Sequence, residues 1–182
     1  MSTQTVKQEV PAGTYAVDPV HSTINFAVLH NGVSTFRSGF RGYEAKLAGG
    51  EEPRLEGTVE VASVDIDEEM LKGHLLSPDF FDAERYPQLR FRSTAFEVED
   101  GALSLRGELE IHGQTHEVEA SGRFADLGAD LAGSARVGFS LATSVDRRSF
   151  GLDWQAELPS GGEVLDYSVE IAVDLELVQE AE

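Results

Sequence analysis

The C-terminal part of the chain carries a hydrophobic alternation that only a β-strand can accommodate. Between Leu165 and Leu177, seven apolar side chains share one parity, and acidic residues occupy most of the other. Side chains of a strand point alternately to its two faces, whereas the neighbours on a helix face are three and four residues apart. Residues 163–178 are therefore predicted to form a strand with one buried and one solvated face.

Further strand-like runs fill most of the remaining chain. They cover residues 13–18, 22–30, 32–47, 54–63, 89–98, 102–111, 115–124 and 131–143. Short connections near residues 100 and 113 have hairpin chemistry, so successive strands are expected to be antiparallel. A sheet of eight or nine such strands removes its exposed edges best by closing. The sequence predicts an all-β fold, an antiparallel barrel.

One stretch, near residues 67–85, interrupts the strand pattern with a short helical insertion. Ser77 is expected to cap the helix and Pro78 to occupy its first position, because serine accepts from free N–H groups and proline has none to lose. The phenylalanine pair that follows would supply a buried face. Pro87 would end the helix.

The length of 182 residues suits a single domain that can bury a real core. Residues 1–12 are polar and are expected to form a flexible lead-in, so the single barrel domain is placed at residues 13–179. The oligomeric state is left open, with a homodimer as one option.

Composition excludes several classes of partner and chemistry. With 14 basic and 33 acidic residues the formal net charge is −19, which repels nucleic-acid phosphates and anionic membrane surfaces. The absence of cysteine excludes disulfides and thiolate chemistry. The start of the chain lacks an apolar run, and no segment approaches the roughly 18 apolar residues of a membrane span. A cytoplasmic location is therefore expected.

Glycines inside several strands indicate either sharp curvature or empty interior space. Gly57 shares its parity with Leu55, and Gly107 shares its parity with Leu109. A strand interior normally disfavours glycine, because glycine has no side chain to pack. Barrel curvature alone and a cavity both explain these residues.

Five patches between Tyr15 and Leu177 together resemble the YceI-like family of polyisoprenoid-binding proteins. They are the D-x-x-H-S pattern that begins at Asp18, GVSTFRSGF at 32–40, the insertion with HLLSPDFFDAERYPQLRFRST at 74–94, GELEIHGQTHEVE at 107–119, and SVDRRSFGLDW at 144–154. Two departures stand out. Tyr15 takes the place of the usual tryptophan, and Asp146 takes the place of an asparagine.

The resemblance implies an extended, eight-stranded, lipocalin-like barrel that holds a long isoprenoid chain, such as a polyprenol or an isoprenoid quinone, in its pore. It implies no reaction, no catalytic residues, no metal and no cofactor besides the bound lipid. An eight-stranded barrel has an interior just wide enough for one small ligand. The residues expected to contact the ligand, chosen chiefly for the apolar parity of their strands, are Ile24, Phe26, Val28, His30, Phe91, Leu109, Phe139, Val169 and Arg147.

Other chemistries have weaker support in the sequence. His112 and His116 have a ligand-like spacing, but a glycine turn separates them and removes helical geometry. Arg147 could hold a head group, although an ion pair with Asp146 that fixes the loop is the favoured interpretation. A barrel enzyme acting on a lipophilic substrate, or a binder of another lipid such as a fatty acid or amide, remains an alternative. A buried carboxylate in the cavity would favour the enzyme.

Overall fold

The computed structural model describes residues 6–181, which form ten strands, one α-helix and two short 3-10 turns. The strands are β1 (Val10–Val17), β2 (Thr23–His30), β3 (Ser34–Phe40), β4 (Tyr43–Gly50), β5 (Arg54–Glu60), β6 (Gln88–Glu99), β7 (Ala102–Ile111), β8 (Gln114–Ala129), β9 (Ala135–Asp146) and β10 (Leu165–Gln179). The helix α1 spans Glu69–Leu76, and the 3-10 turns span Val61–Ser63 and Arg147–Phe150. No helix among the described residues is long and apolar enough to cross a membrane.

Eight strands form a closed antiparallel ring in the order β1, β4, β5, β6, β7, β8, β9 and β10, and β10 pairs back with β1. The predicted eight-stranded barrel with a helical insertion is thereby confirmed. The long strand β10 has two partners on the same side. Its last residues pair with β1, as in Leu177 with Val17, and its earlier residues pair with β2, as in Val173 with Ile24. The β2–β3 hairpin therefore takes the place of β1 in one half of the barrel wall.

Strand boundaries differ from the prediction where side chains make local turns. The predicted run 32–47 is divided into β3 and β4 at Gly42, whose missing side chain leaves room for the Cβ of Ser63. The predicted run 131–143 starts late, because the carboxylate of Asp130 accepts the N–H groups of Ala132 and Ser134 and holds a turn. Strand β1 starts early, at the buried residue Val10.

Because β1 starts at Val10, part of the predicted lead-in 1–12 belongs to the barrel. Val10 belongs to the core, and the N–H of Gln8 donates to the carbonyl of Val98 on β6. Residues 6–9 therefore run along the barrel rather than away from it. Residues 1–5 of the predicted lead-in lie outside the described residues.

The helix lies on the other side of Ser77 from its predicted position, so the prediction that Ser77 starts it was wrong. The carboxylate of Glu68 caps the helix by accepting the N–H groups of Met70 and Leu71. Ser77 instead ends the helix in an extended conformation, and its hydroxyl donates to the carbonyl of His74. The cause is Pro78, because a proline disfavours the helical conformation of the residue before it. Residues 78–86 then form turns.

The larger of two hydrophobic clusters fills one half of the barrel, which we call the packed half, and the smaller one, of Ile111, Phe150 and Leu152, lies outside it. The larger cluster includes the fully buried Tyr15, Leu47, Leu103 and Leu177, together with an aromatic trio in which Phe96 contacts Phe124 and Phe139 edge-on at 6.2 and 5.9 Å. The packed half coincides with the stretch where β1 closes the ring. In the other half, where β2 forms the wall in place of β1, the interior contains a cavity.

Candidate ligand-binding cavity

A cavity of about 250 Å³ occupies the half of the barrel interior that the core leaves open. Along β10, Leu177 belongs to the packed half, Leu175 lies at the border, and Val173, Ile171 and Val169 line the cavity. The order is the same on β9, from Phe139 in the core to the lining residues beyond it. The cavity wall is almost entirely apolar.

Most of the sequence-predicted contact residues line this cavity. Ile24, Phe26 and Val28 lie there on β2, Phe91 and Leu109 on β6 and β7, Val169 on β10, and Arg147 at the edge. Two predicted residues lie elsewhere. Phe139 is part of the aromatic trio in the packed half, and His30 is exposed at the end of β2. Parity identifies the inward face of a strand, but it does not say how far along the barrel a residue lies.

Further residues line the cavity that were not predicted from the sequence. Some of them share the parity of the predicted residues on their strands. Leu105, Leu141 and Leu175 border the cavity from the core side, and their parity is that of the predicted residues on β7, β9 and β10. Leu75 and Phe81 approach from the insertion between β5 and β6. A strand pattern gives no indication of how such an insertion folds over a barrel.

Two glycines shape the interior in different ways. Gly107 lies against β6: a Cβ at this position would fall 2.4 Å from the Cζ of Phe91 and 2.5 Å from the carbonyl oxygen of Arg92, so this close approach needs glycine. A Cβ at Gly57 would meet nothing closer than the carbonyl oxygen of Glu44 at 3.4 Å. Gly57 thus leaves space in the cavity, and that space could be filled.

The insertion and the loop after β9 cover the end of the cavity opposite the core. Phe80 and Phe81 line the cavity from the turns after α1, and Phe150 and Leu152 line it from the loop. Phe81 meets Phe40 edge-on at 6.2 Å, and Phe80 contacts Trp154 at 5.3 Å. Aromatic contacts therefore join the insertion to the rest of the barrel, and a ligand must displace part of this cover to enter here.

Arg147 is a structural cation, with only 4 % of its surface exposed. Its guanidinium donates hydrogen bonds of 2.6–2.9 Å to four backbone carbonyl groups, those of Leu152, Trp154, Leu165 and Asp166. It also lies 4.5 Å from the ring centre of Tyr167. Burial lowers the pKa of Arg147 from its usual value, but arginine stays charged in proteins. These bonds tie the loop after β9 to β10.

The favoured ion pair between Asp146 and Arg147 is formed by a different arginine. Arg148 makes the pair, with 2.6 Å between its Nη2 and the Oδ2 of Asp146. The pairing lowers the pKa of Asp146, mainly because Arg148 donates hydrogen bonds to the carboxylate. Both partners are exposed, so this ion pair stabilises the loop much less than Arg147 does.

We expect Arg147→Ala to lower the free energy of unfolding by about 3 kcal/mol or more, because buried carbonyl groups lose their donors. Arg148→Ala, next to it in sequence but exposed, is the control and should change the stability little. Denaturant unfolding of the two variants measures both effects. Equal stability of Arg147→Ala and the unmodified protein would show that the carbonyl contacts do not hold the loop.

The histidines singled out by their spacing bond to the backbone. His112 Nδ1 lies 3.2 Å from the carbonyl oxygen of Phe150, and His116 Nε2 lies 2.7 Å from that of Ser149. Ser22, next to His21 in sequence, is buried and exchanges hydrogen bonds with the backbone of Glu176. These contacts hold the loop after β9 and the start of β2 in place.

A different polar cluster lies on the packed half, outside the cavity. Asp18, His21 and Glu176 bring their donor atoms within 4.8 Å of one another, a geometry that could suit a metal ion. Arg136 reaches the same carboxylates, at 2.9 Å from Asp18 and 2.7 Å from Glu176, and also bonds Asp130. The guanidinium cation thus already pairs with these carboxylates and stands where a metal ion would have to bind, so the cluster is an ion-pair network in this arrangement.

The network makes the free energy of unfolding depend on pH in the acidic range. Hydrogen bonds from His21 and Arg136 lower the pKa of Asp18, and Arg136 lowers that of Asp130. A depressed carboxylate pKa stabilises the fold above the unfolded value of about 3.9, and this contribution is lost as the pH falls through the folded value. We therefore expect the melting temperature of the unmodified protein to fall more between pH 6 and pH 2 than that of Arg136→Gln.

The matched control for Arg136→Gln is Arg123→Gln, which removes the same charge from an exposed position on β8. Thermal melts across the pH range should give Arg123→Gln the acid dependence of the unmodified protein. An acid dependence of Arg136→Gln equal to that of the control would contradict the role of the network.

The sequence comparisons identify the family. The YceI-like domain model matches residues 15–177, and the chain therefore belongs to the YceI-like family. A UPF0312 protein from Vibrio cholerae serotype O1 is 31% identical over 150 residues, which cover 78% of each chain. The family match runs from Tyr15 on β1 to Leu177 on β10 and includes the insertion.

Solved structures share the fold at lower sequence identity. BcnA from Burkholderia cenocepacia superposes with a TM-score of 0.74 at 21% identity, over 88% of this chain and 98% of that one. A polyisoprenoid binding domain from Saccharophagus degradans, implicated in plant cell wall breakdown, superposes with a TM-score of 0.72 at 14% identity, over 91% and 98% of the two chains. At these identities the likeness concerns the barrel architecture.

Proposed function

We propose that the protein binds one isoprenoid lipid with a neutral head, such as a polyprenol or an isoprenoid quinone, and carries it without chemical change. The observation that supports this most is the almost wholly apolar cavity inside a closed barrel. The polyisoprenoid binding domain with the same fold adds support for the ligand class. Apolar pockets with few polar groups are typical of small-molecule binding sites.

Apolar burial alone can supply the affinity. Each buried CH₂ group contributes about 0.8 kcal/mol, so each five-carbon isoprene unit contributes roughly 3–4 kcal/mol. Several isoprene-sized groups would exceed the cost of lost translation and rotation. Because dry apolar contacts are not screened by ions, binding should change little with salt.

The polar groups near the cavity favour a carrier over an enzyme. Glu44 is the one acidic residue among the described lining residues, and it is exposed on β4. The hydroxyl of Thr143 donates to the carbonyl of Glu119. A general acid or base needs a titratable group within hydrogen-bond reach of the substrate, and neither residue offers one inside.

The same groups favour a neutral head over a fatty-acid carboxylate. An anionic head inside the barrel would need a free cation. Arg147 already donates four hydrogen bonds to the backbone, and Arg90 is exposed on β6. A prenol hydroxyl or a quinone carbonyl needs only one hydrogen bond or water.

The variant Gly57→Leu tests the proposal by filling the cavity. Its Cβ fits with ordinary contacts, and the rest of the leucine side chain would enter the space that the ligand needs. Binding of farnesol, followed by the fluorescence of the single tryptophan, Trp154, should weaken at least tenfold. The melting temperature without ligand should stay the same or rise, because the new side chain buries apolar surface.

The matched control is Glu56→Leu, which places the same side chain on the outer face of β5 next to Gly57. Farnesol should bind to this control as it binds to the unmodified protein. Unchanged farnesol binding by a folded Gly57→Leu variant would place the ligand outside the cavity and overturn the proposal.

A further inference from the structure

The wall of the cavity is interrupted between β8 and β9. The pairing of these strands ends at Ser121 and Ala142, although both strands continue beyond this pair. On their other sides both remain paired over this stretch, β8 with β7 and β9 with β10. The two strands therefore separate from each other in the cavity half. We call the opening between residues 114–120 of β8 and 143–146 of β9 the fork.

Gly122 lies where the separation begins, next to the last paired residue of β8. A Cβ at this position would overlap the carbonyl oxygen of Ser140 on β9, so only glycine permits this close approach of the two strands. A glycine inside a strand often marks a sharp bend. The residues before Gly122 are free of the ladder to β9, and β8 diverges from β9 there.

Side chains on both edges of the fork line the cavity. Val118 and Ala120 do so from β8, and Thr143 and Val145 do so from β9. No strand of the described chain lies between the two edges. The outward-facing residues at the same place, such as Glu119, are exposed, so solvent reaches the fork from outside. The fork therefore separates the cavity from solvent without a ladder of backbone hydrogen bonds.

Two side-chain hydrogen bonds bridge the fork in the part of the chain that the structure describes. The hydroxyl of Thr143 donates to the carbonyl of Glu119, with 2.6 Å between the two oxygens. Nearer the covered end of the cavity, Nε2 of His116 lies 2.7 Å from the carbonyl oxygen of Ser149. The His116 ring also meets Phe150 edge-on at 5.1 Å. Both hydrogen bonds lie at exposed positions, where water can take the place of either partner.

The covered end of the cavity is held more firmly than the fork. Arg147 ties the loop after β9 to β10 through four backbone carbonyl groups. On the insertion, Phe81 packs on Phe40, and Phe80 packs on Trp154. Opening this end would expose aromatic rings to water, whereas opening the fork breaks exposed hydrogen bonds. Segments with few buried contacts open at lower free energy, so the fork is the weaker barrier.

The fork runs along the barrel wall beside the cavity. At about 3.3 Å per residue, residues 114–120 of β8 span roughly 20 Å. The cavity lining on β10 runs from Leu165 to Leu175, and Thr143 at the fork pairs with Ile171 in the middle of this lining. An extended chain that lies in the fork is therefore parallel to the space it would fill. It need not thread through the covered end.

We propose that the prenyl chain of the ligand enters and leaves the cavity sideways, through the fork between β8 and β9. The inference rests on the proposed function and goes beyond it by assigning the route. Blocking a route slows entry and exit alike. The inference therefore predicts variants whose association and dissociation rates change together while the dissociation constant stays nearly the same.

A reversible crosslink across the fork tests the route. Glu119→Cys combined with Ser144→Cys places two thiols opposite each other in the continued register of Ser121 with Ala142, in a chain that has no cysteine of its own. Stopped-flow fluorescence of Trp154 follows the binding and release of farnesol. Formation of the disulfide should lower both rates at least about tenfold and change the dissociation constant less than about threefold. Reduction should restore both rates.

Matched variants control for the crosslink and extend the test. Arg123→Cys with Ser140→Cys joins a pair that the ladder already holds together, so its disulfide should leave both rates within about twofold of those of the reduced form. Thr143→Val removes the hydrogen bond to Glu119 and keeps the side-chain shape, so both rates should rise at least about threefold. Thr58→Val, in the cavity lining on the paired strand β5, is its control and should leave them unchanged.

The outcomes separate the inference from the proposed function. Absence of saturable farnesol binding by the unmodified protein would overturn the proposed function, and the inference with it. Unchanged rates in the Glu119→Cys, Ser144→Cys variant, with its disulfide verified by mass spectrometry, would overturn the inference alone. Should these thiols stay reduced, Thr143→Val decides: rates equal to those of Thr58→Val would overturn the route.

Discussion

One edge of β10 pairs with two different strands, and this exchange of partners divides the barrel into two halves. Its last residues pair with β1 and close the eight-stranded ring, and its earlier residues pair with β2 instead. Where β1 closes the ring, large side chains fill the interior. Where the β2–β3 hairpin replaces it, the wall contains an additional strand, and the outer edge of β3 meets the insertion through the bridge between Phe40 and Val64. The division into a packed half and a cavity follows from this exchange of partners.

Alternation within strands predicted the barrel and most inward-facing residues, because one parity of a half-buried strand must face the core. Alternation does not give the position of a residue along the barrel axis. Phe139 was therefore assigned to the cavity although it lies in the packed half. Alternation also missed features set by tertiary contacts. The carbonyl groups that Arg147 bonds are up to 19 residues away in sequence, and no local pattern indicates them. The helix was misplaced because Pro78 was read as a start rather than as the residue that forces Ser77 out of the helix.

The strong negative charge and the neutral cavity belong to different parts of the molecule. Acidic residues lie on the outer faces of the strands, and the network around Arg136 joins three of them on the packed half. Burying a charge without a partner is costly, and the buried guanidinium of Arg147 at the cavity edge is compensated by backbone carbonyl groups. Under the proposed function, shape and apolar area would determine recognition of a ligand inside the barrel, and the surface charge would repel anionic surfaces.

The proposed binding of an isoprenoid with a neutral head can be tested on the lipid that the protein itself selects. The most direct measurement is to incubate the purified protein with a total lipid extract, re-isolate it, extract it with organic solvent, and identify the recovered molecules by mass spectrometry. The account predicts neutral lipids with a prenyl repeat, in about one-to-one ratio with the protein, and far less of them from Gly57→Leu. Recovery of fatty acids or other anionic lipids in their place, or of no lipid at all, would contradict it.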